Sequence, residues 1–115
     1  MSQHRIKLLI FSLAFALTAH AKDPEPLLIA RQGYFFIGAK YSSVKELQVM
    51  SGQLYVEFQV PARRAHATPI VMIHGLGQTG TNFTGTPDGR EGWAQFFLRE
   101  GYTVYVVDQP GRGRA

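Results

Sequence analysis

Cysteine is absent from the 115 residues, which removes disulfide frameworks, thiolate metal sites, lipid-modified cysteine and a cysteine nucleophile together. Redox compartment is therefore not legible from thiol usage. Acidic side chains are sparse, eight Asp+Glu against twelve Lys+Arg for a net charge of +4. Serine is also scarce: Ser2, Ser12, Ser42, Ser43 and Ser51 are all of it, and no Gly-x-Ser-x-Gly occurs. A closed (β/α)₈ barrel, which needs roughly 200 residues, is excluded by length. What is present, 45% hydrophobic residues and twelve Gly, is the composition of a globular chain with room for one small domain, not of a disordered tail.

Residues 1–21 read as an address. Arg5 and Lys7 precede an apolar run from Leu8 to Leu17, and Ala19-His20-Ala21 follows as a small-x-small site. This three-part pattern predicts a secretory signal peptide cleaved after Ala21, with export to the periplasm or the medium. The run is about half of the ~20 residues a transmembrane helix needs, so no stable membrane anchor is expected. Removing Arg5 and Lys7 leaves ten cations against eight anions, or +2. Those cations are scattered and not interleaved with aromatics, so no nucleic-acid partner is expected.

Residues 22–31 begin as the proline-punctuated KDPEP and are expected to form an extended leader. The folded portion is placed at 32–115. Tyr34-Phe35-Phe36-Ile37 is β-like, a weaker run surrounds Val44 to Met50, and Ser51-Gly52 signals a turn. Beyond it Leu54, Val56, Phe58 and Val60 alternate with Gln53, Tyr55, Glu57 and Gln59. Period two predicts a strand with one buried face, expected to pair antiparallel with the segment before Ser51-Gly52. Ile70-Val71-Met72-Ile73 lacks alternation and predicts a strand buried on both faces of a parallel sheet. Trp93, Phe96 and Phe97 stand at helical spacing and are expected in the core, with Gly101 ending that helix. Tyr102 to Val107 is a further β run closed by Asp108. Strand, loop, helix, strand is a βαβ unit, so the fold class is α/β.

The loop after Ile73 has two readings. Gly75-Leu76-Gly77-Gln78-Thr79-Gly80 satisfies Gly-x-Gly-x-x-Gly, the pattern of a dinucleotide-binding βαβ unit. Against it, Thr86-Pro87-Asp88-Gly89 interrupts the place where the helix should start, and Asp108 arrives 28 residues beyond Gly80 where about 20 is usual. The second reading begins at His74-Gly75. A buried strand ending in His-Gly and running into small residues resembles the oxyanion loop of α/β-hydrolases. The likeness continues in Asp108-Gln109-Pro110-Gly111-Arg112-Gly113-Arg114, which resembles the Asp-x-Pro-Gly-x-Gly segment after the fourth sheet strand of that superfamily. Together YFFIGAKY, GQLYVEFQV, HGLGQTGTNFTGTPDGREGW and YVVDQPGRGR resemble exported bacterial α/β-hydrolase esterases over about residues 33 to 114.

The resemblance implies the N-terminal part of an α/β-hydrolase fold, an antiparallel β-hairpin leading into a βαβ unit of a mostly parallel sheet, incomplete here. It implies a small-molecule ester as substrate, no cofactor, and a serine nucleophile at a Gly-x-Ser-x-Gly elbow, followed by an acid and a histidine. By that order no serine of this chain is the nucleophile and His74 is not the general base, so no catalytic residue is assigned. The backbone N–H of Leu76, with Gly77 next, is the implied oxyanion donor, and His74 and Gly75 support the loop. Asp108 is implied to brace its own loop. The four histidines, His4, His20, His66 and His74, have no metal-ligand spacing, so no metal is expected. The chain is expected to be a catalytically silent fragment of an exported carboxylic-ester hydrolase. The alternatives are a small exported binding module without catalysis and the dinucleotide unit.

Overall fold

The computed structural model describes residues 25–115. The expected signal peptide and its cleavage site lie outside the described residues. Six strands and two short helices follow in chain order: β1 Ile29–Ile37, β2 Lys40–Val44, β3 Leu47–Ser51, β4 Leu54–Pro61, β5 Ile70–Ile73, a 3₁₀ turn Gly80–Phe83, α1 Trp93–Arg99 and β6 Val104–Asp108. Strand β1 starts ahead of Gln32, inside the segment expected to be leader.

Four strands form one sheet in the order β1-β4-β6-β5. β1 and β4 are antiparallel, as are β4 and β6, while β5 and β6 are parallel. The sheet is thus mixed, and the α/β class holds. One pairing differs from expectation. β4 does not pair with the segment before Ser51-Gly52; that segment is β3, which pairs with β2 in a separate two-stranded sheet, and β4 pairs instead with β1. The run around Val44 to Met50 is two strands because the chain reverses at Lys45 (φ 47°) and Glu46 (φ 69°), both left-handed. Such a two-residue turn normally carries Asn or Gly. Its absence hid the hairpin.

Residues directly opposite in the ladders share a face. Ile70, Met72, Val104 and Val106 fall on the face that α1 covers, and Met72, Ala94, Leu98, Val104 and Val106 are the buried core. Ala94 and Leu98, four apart, are the inward face of α1. Trp93 and Phe96 are therefore not core as expected: they stand 61% and 50% exposed, in edge contact with each other, with Phe96 edge-on and Trp93 stacked against Phe97. A clean C-terminus follows, because Tyr102 N–H donates to the Phe97 carbonyl (3.0 Å) and Gly101 N–H to that of Leu98 (3.0 Å). Gly101 takes φ +85°, and the Phe97 and Tyr102 rings meet edge to face. This is a Schellman motif with its hydrophobic contact.

The opposite face carries Phe35, Ile37, Leu54, Val56, Val71, Ile73, Tyr105 and Val107 around an open apolar groove of about 510 Å³. Only Val56 and Val107 of these are buried. The expectation that β5 is buried on both faces therefore fails among the described residues: Met72 is inside, but Val71 and Ile73 are 56% and 60% exposed.

Candidate functional site

β5 and β6 run parallel and end side by side, so the loops after Ile73 and after Asp108 leave from one edge of the sheet. The residues singled out from the sequence meet there. Gly75 to Gln78 is a tight turn: Gln78 N–H donates to the Gly75 carbonyl (3.2 Å), and Gly77 takes φ +75°. Glycine meets that conformation without the Cβ clash of other residues. The Gly75 N–H is also used, donating to Gln78 Oε1 (3.1 Å).

His74 is buried, 4% exposed, against this turn. The main-chain N–H of Gln109 donates to His74 Nε2 (3.1 Å). That nitrogen must therefore be the acceptor, leaving the ring proton on Nδ1, which lies 2.9 Å from the Gly75 carbonyl oxygen and donates to it. The Gly75 carbonyl thus receives two hydrogen bonds, and because no peptide is cis, the Leu76 N–H points the opposite way. Among the described residues the N–H groups of Leu76 and Gly77 find no acceptor, and the Leu76 side chain is 97% exposed. Two unpartnered amides on a turn are free to donate to a negatively charged atom.

The second loop is braced by Asp108, which is 1% exposed. Its Oδ1 accepts the Gly80 N–H (2.6 Å), and its Oδ2 accepts the Arg114 main-chain N–H and Nε (2.9 Å each). Arg114 also reaches Glu57 and lies over the Tyr55 ring at 4.2 Å. Burial alone would raise the Asp108 carboxyl, but the hydrogen bonds from Arg114 and Gly80 outweigh it and hold the group below its ordinary value. Asp108 is spent on loop bracing and faces no open space.

The surrounding polar residues make a self-contained turn. Thr86 and Arg90 both bond Asp88, in that order of strength, and press its carboxyl down to about 2. Arg90 and Glu91 also border a shallow groove with Asn82, Trp93 and Phe96. His66 stacks on Tyr102 at 3.7 Å. Among the described residues no cluster of His, Asp and Glu is arranged to hold a metal, and no helix is long and apolar enough to cross a membrane. The dinucleotide reading is not favoured: the short 3₁₀ turn, not a long helix, follows the glycines, and its first N–H is already taken by Asp108. Three residues escaped the sequence reading, namely Gln78, Gln109 and Arg114. The Gln109–His74 contacts span 35 residues, a separation at which local pattern carries no signal.

The architecture is a mixed α/β sheet with one helix against one face and the loops after β5 and β6 leaving from one edge. No family model matches the chain. Among curated proteins it is 49% identical over 82 residues to a probable secreted lipase, phiG, of a fungus (strain ATCC 74256), covering 71% of this chain and 20% of the lipase. Among solved structures it superposes on a novel bacterial esterase with a TM-score of 0.71 and 41% identity, over 80% of this chain and 32% of the esterase. The chain thus spans about a fifth of the one relative and a third of the other. The one relative is named a lipase and the other an esterase.

Proposed function

We propose that these residues form the oxyanion-binding edge of an exported carboxylic-ester hydrolase. The observation that carries this is the turn at Gly75 to Gln78. Its Gly75 carbonyl and Gly75 N–H are both hydrogen-bonded, which leaves the Leu76 and Gly77 N–H groups without an acceptor among the described residues. In ester hydrolysis a nucleophile adds to the carbonyl carbon and charge collects on the carbonyl oxygen. Amides fixed toward that oxygen stabilise the transition state, each by about 3–4 kcal/mol when the rest of the site is assembled. His74 and Gly75 support the donors, and the likeness to a secreted lipase and a bacterial esterase supports the reaction class.

None of the serines stands beyond the turn, so in this reading a nucleophile, its base and its acid come from residues other than these. The 115-residue chain is then silent by itself. A p-nitrophenyl ester assay tests this: turnover by the purified chain above a heat-killed control sinks the assignment of these residues as the oxyanion edge alone. Export is tested separately, since the mature N-terminus of secreted material is expected at Lys22, and material that begins at Met1 removes the signal-peptide reading.

A further inference from the structure

We propose that Gln109 is a positioning residue for the turn at Gly75 to Gln78, acting through both ends of His74. Its main-chain N–H fixes the imidazole as the Nδ1–H tautomer (3.1 Å to Nε2), and its side-chain amide donates to the His74 carbonyl (2.8 Å). Only the Nδ1–H tautomer donates to the Gly75 carbonyl, and that bond sets which way the next peptide faces. Gln109 therefore helps to set, through two relays and beside the Gln78 N–H on the same carbonyl, where the Leu76 N–H points. The side-chain type matters for the bond to the His74 carbonyl: glutamate has the same shape and reach but no N–H to give, and alanine removes that bond, while the main-chain N–H stays on Nε2 in both.

The sheet does not depend on this contact. β5 and β6 are already joined by the ladder from Ile70–Val104 to Ile73–Val107, and Gln109 is only half-buried beyond its end. Losing the Gln109 side-chain amide therefore leaves the strands paired and releases the His74 carbonyl, with the main-chain contact to Nε2 still in place. In its kinetic consequence this inference rests on the reading of Leu76 and Gly77 as oxyanion donors; in the tautomer it does not.

Nitrogen–proton correlation spectra of His74 in the secreted gene product supply the first test. The expected result is a proton on Nδ1 and a hydrogen-bonded, bare Nε2; a proton on Nε2 overturns the proposal without any variant having to fold. Gln109→Glu and Gln109→Ala supply the second, with p-nitrophenyl acetate as substrate. Displacing an oriented donor costs a factor of about ten to a hundred in kcat, with KM within about twofold. A kcat unchanged in both variants, or a loss confined to KM, overturns the inference. Absence of turnover in the unsubstituted secreted gene product, unlike silence of the 115-residue chain alone, instead sinks the ester-hydrolase reading. The amide exchange of Leu76 and Gly77 then decides on Gln109: altered rates in both variants support it, and unaltered rates overturn it.

Discussion

Asp108 shows how one carboxylate holds two loops. It is buried and accepts three hydrogen bonds, one from Gly80 and two from Arg114. Asp108→Asn keeps the shape but turns one acceptor oxygen into a donor facing other donors and removes the charge opposite Arg114. A loss of about 2–4 kcal/mol in denaturant unfolding is expected. The sign of its pH dependence follows from its lowered pKa. The stabilisation is full above the ordinary aspartate value of 3.8 and is lost as pH falls through the lower folded value. Acid titration of the parent should show this loss, and Asp108→Asn should show a smaller one, because Asp88 and Glu91, also held below their ordinary values, remain. The neighbouring glycine is equally constrained: a Cβ on Gly80 would stand 2.6 Å from Val106 Cγ1 and 2.9 Å from Asp108 Oδ1. Gly80→Ala should cost about 1–3 kcal/mol by overpacking, read by the unfolding midpoint.

At the scale of elements, α1 separates the informative from the conspicuous. Its large aromatics drew the sequence reading, yet the core contact is made by Ala94 and Leu98, each 1% exposed. Leu98→Ala should cost about 2–5 kcal/mol of stability and Phe96→Ala less than about 1 kcal/mol, both measured by chemical denaturation. An equal cost would contradict the burial assigned here. The helix end was legible because Gly101 is chemically required at a left-handed position, and β4, β5 and β6 were legible because continuous or alternating apolar runs encode strands locally. The β2–β3 hairpin was not, since Lys45 and Glu46 occupy turn positions that neither residue type advertises. Which strand pairs with β4 was not legible either: ladder partners are chosen by the whole sheet, and β1 lies across the hairpin from it. At the candidate site the glycines pointed to the turn, whereas the Gln109 and Arg114 contacts became visible only once β5 and β6 stood side by side.

At the scale of the whole molecule, one face of the sheet is covered among the described residues. α1 covers Met72, Val104 and Val106, while the groove bordered by Phe35, Ile37, Leu54, Val71, Ile73 and Tyr105 is open. Exposed apolar area of this extent attracts apolar probes and other chains. The purified 115-residue chain should bind an apolar fluorescent dye strongly and sediment as more than a monomer. Val71→Thr with Ile73→Thr should weaken both signals, because the first replaces a groove methyl and the second a groove ethyl with a hydroxyl. Strong dye binding that is indifferent to these changes would place the apolar surface elsewhere.

The excursion between the two helices closes on itself. Thr86 exchanges hydrogen bonds with Arg90 at its neck, Gln95 Nε2 holds the Thr84 carbonyl (2.9 Å), and Gly92 sits so close to Phe83 that a Cβ there would lie 2.3 Å from its carbonyl oxygen. A loop sealed at its base transmits little to what lies beneath it. Residues between Thr86 and Arg90 are consequently the place where natural variation in length, or a grafted peptide, would be accommodated while the amides of Leu76 and Gly77 keep their aim.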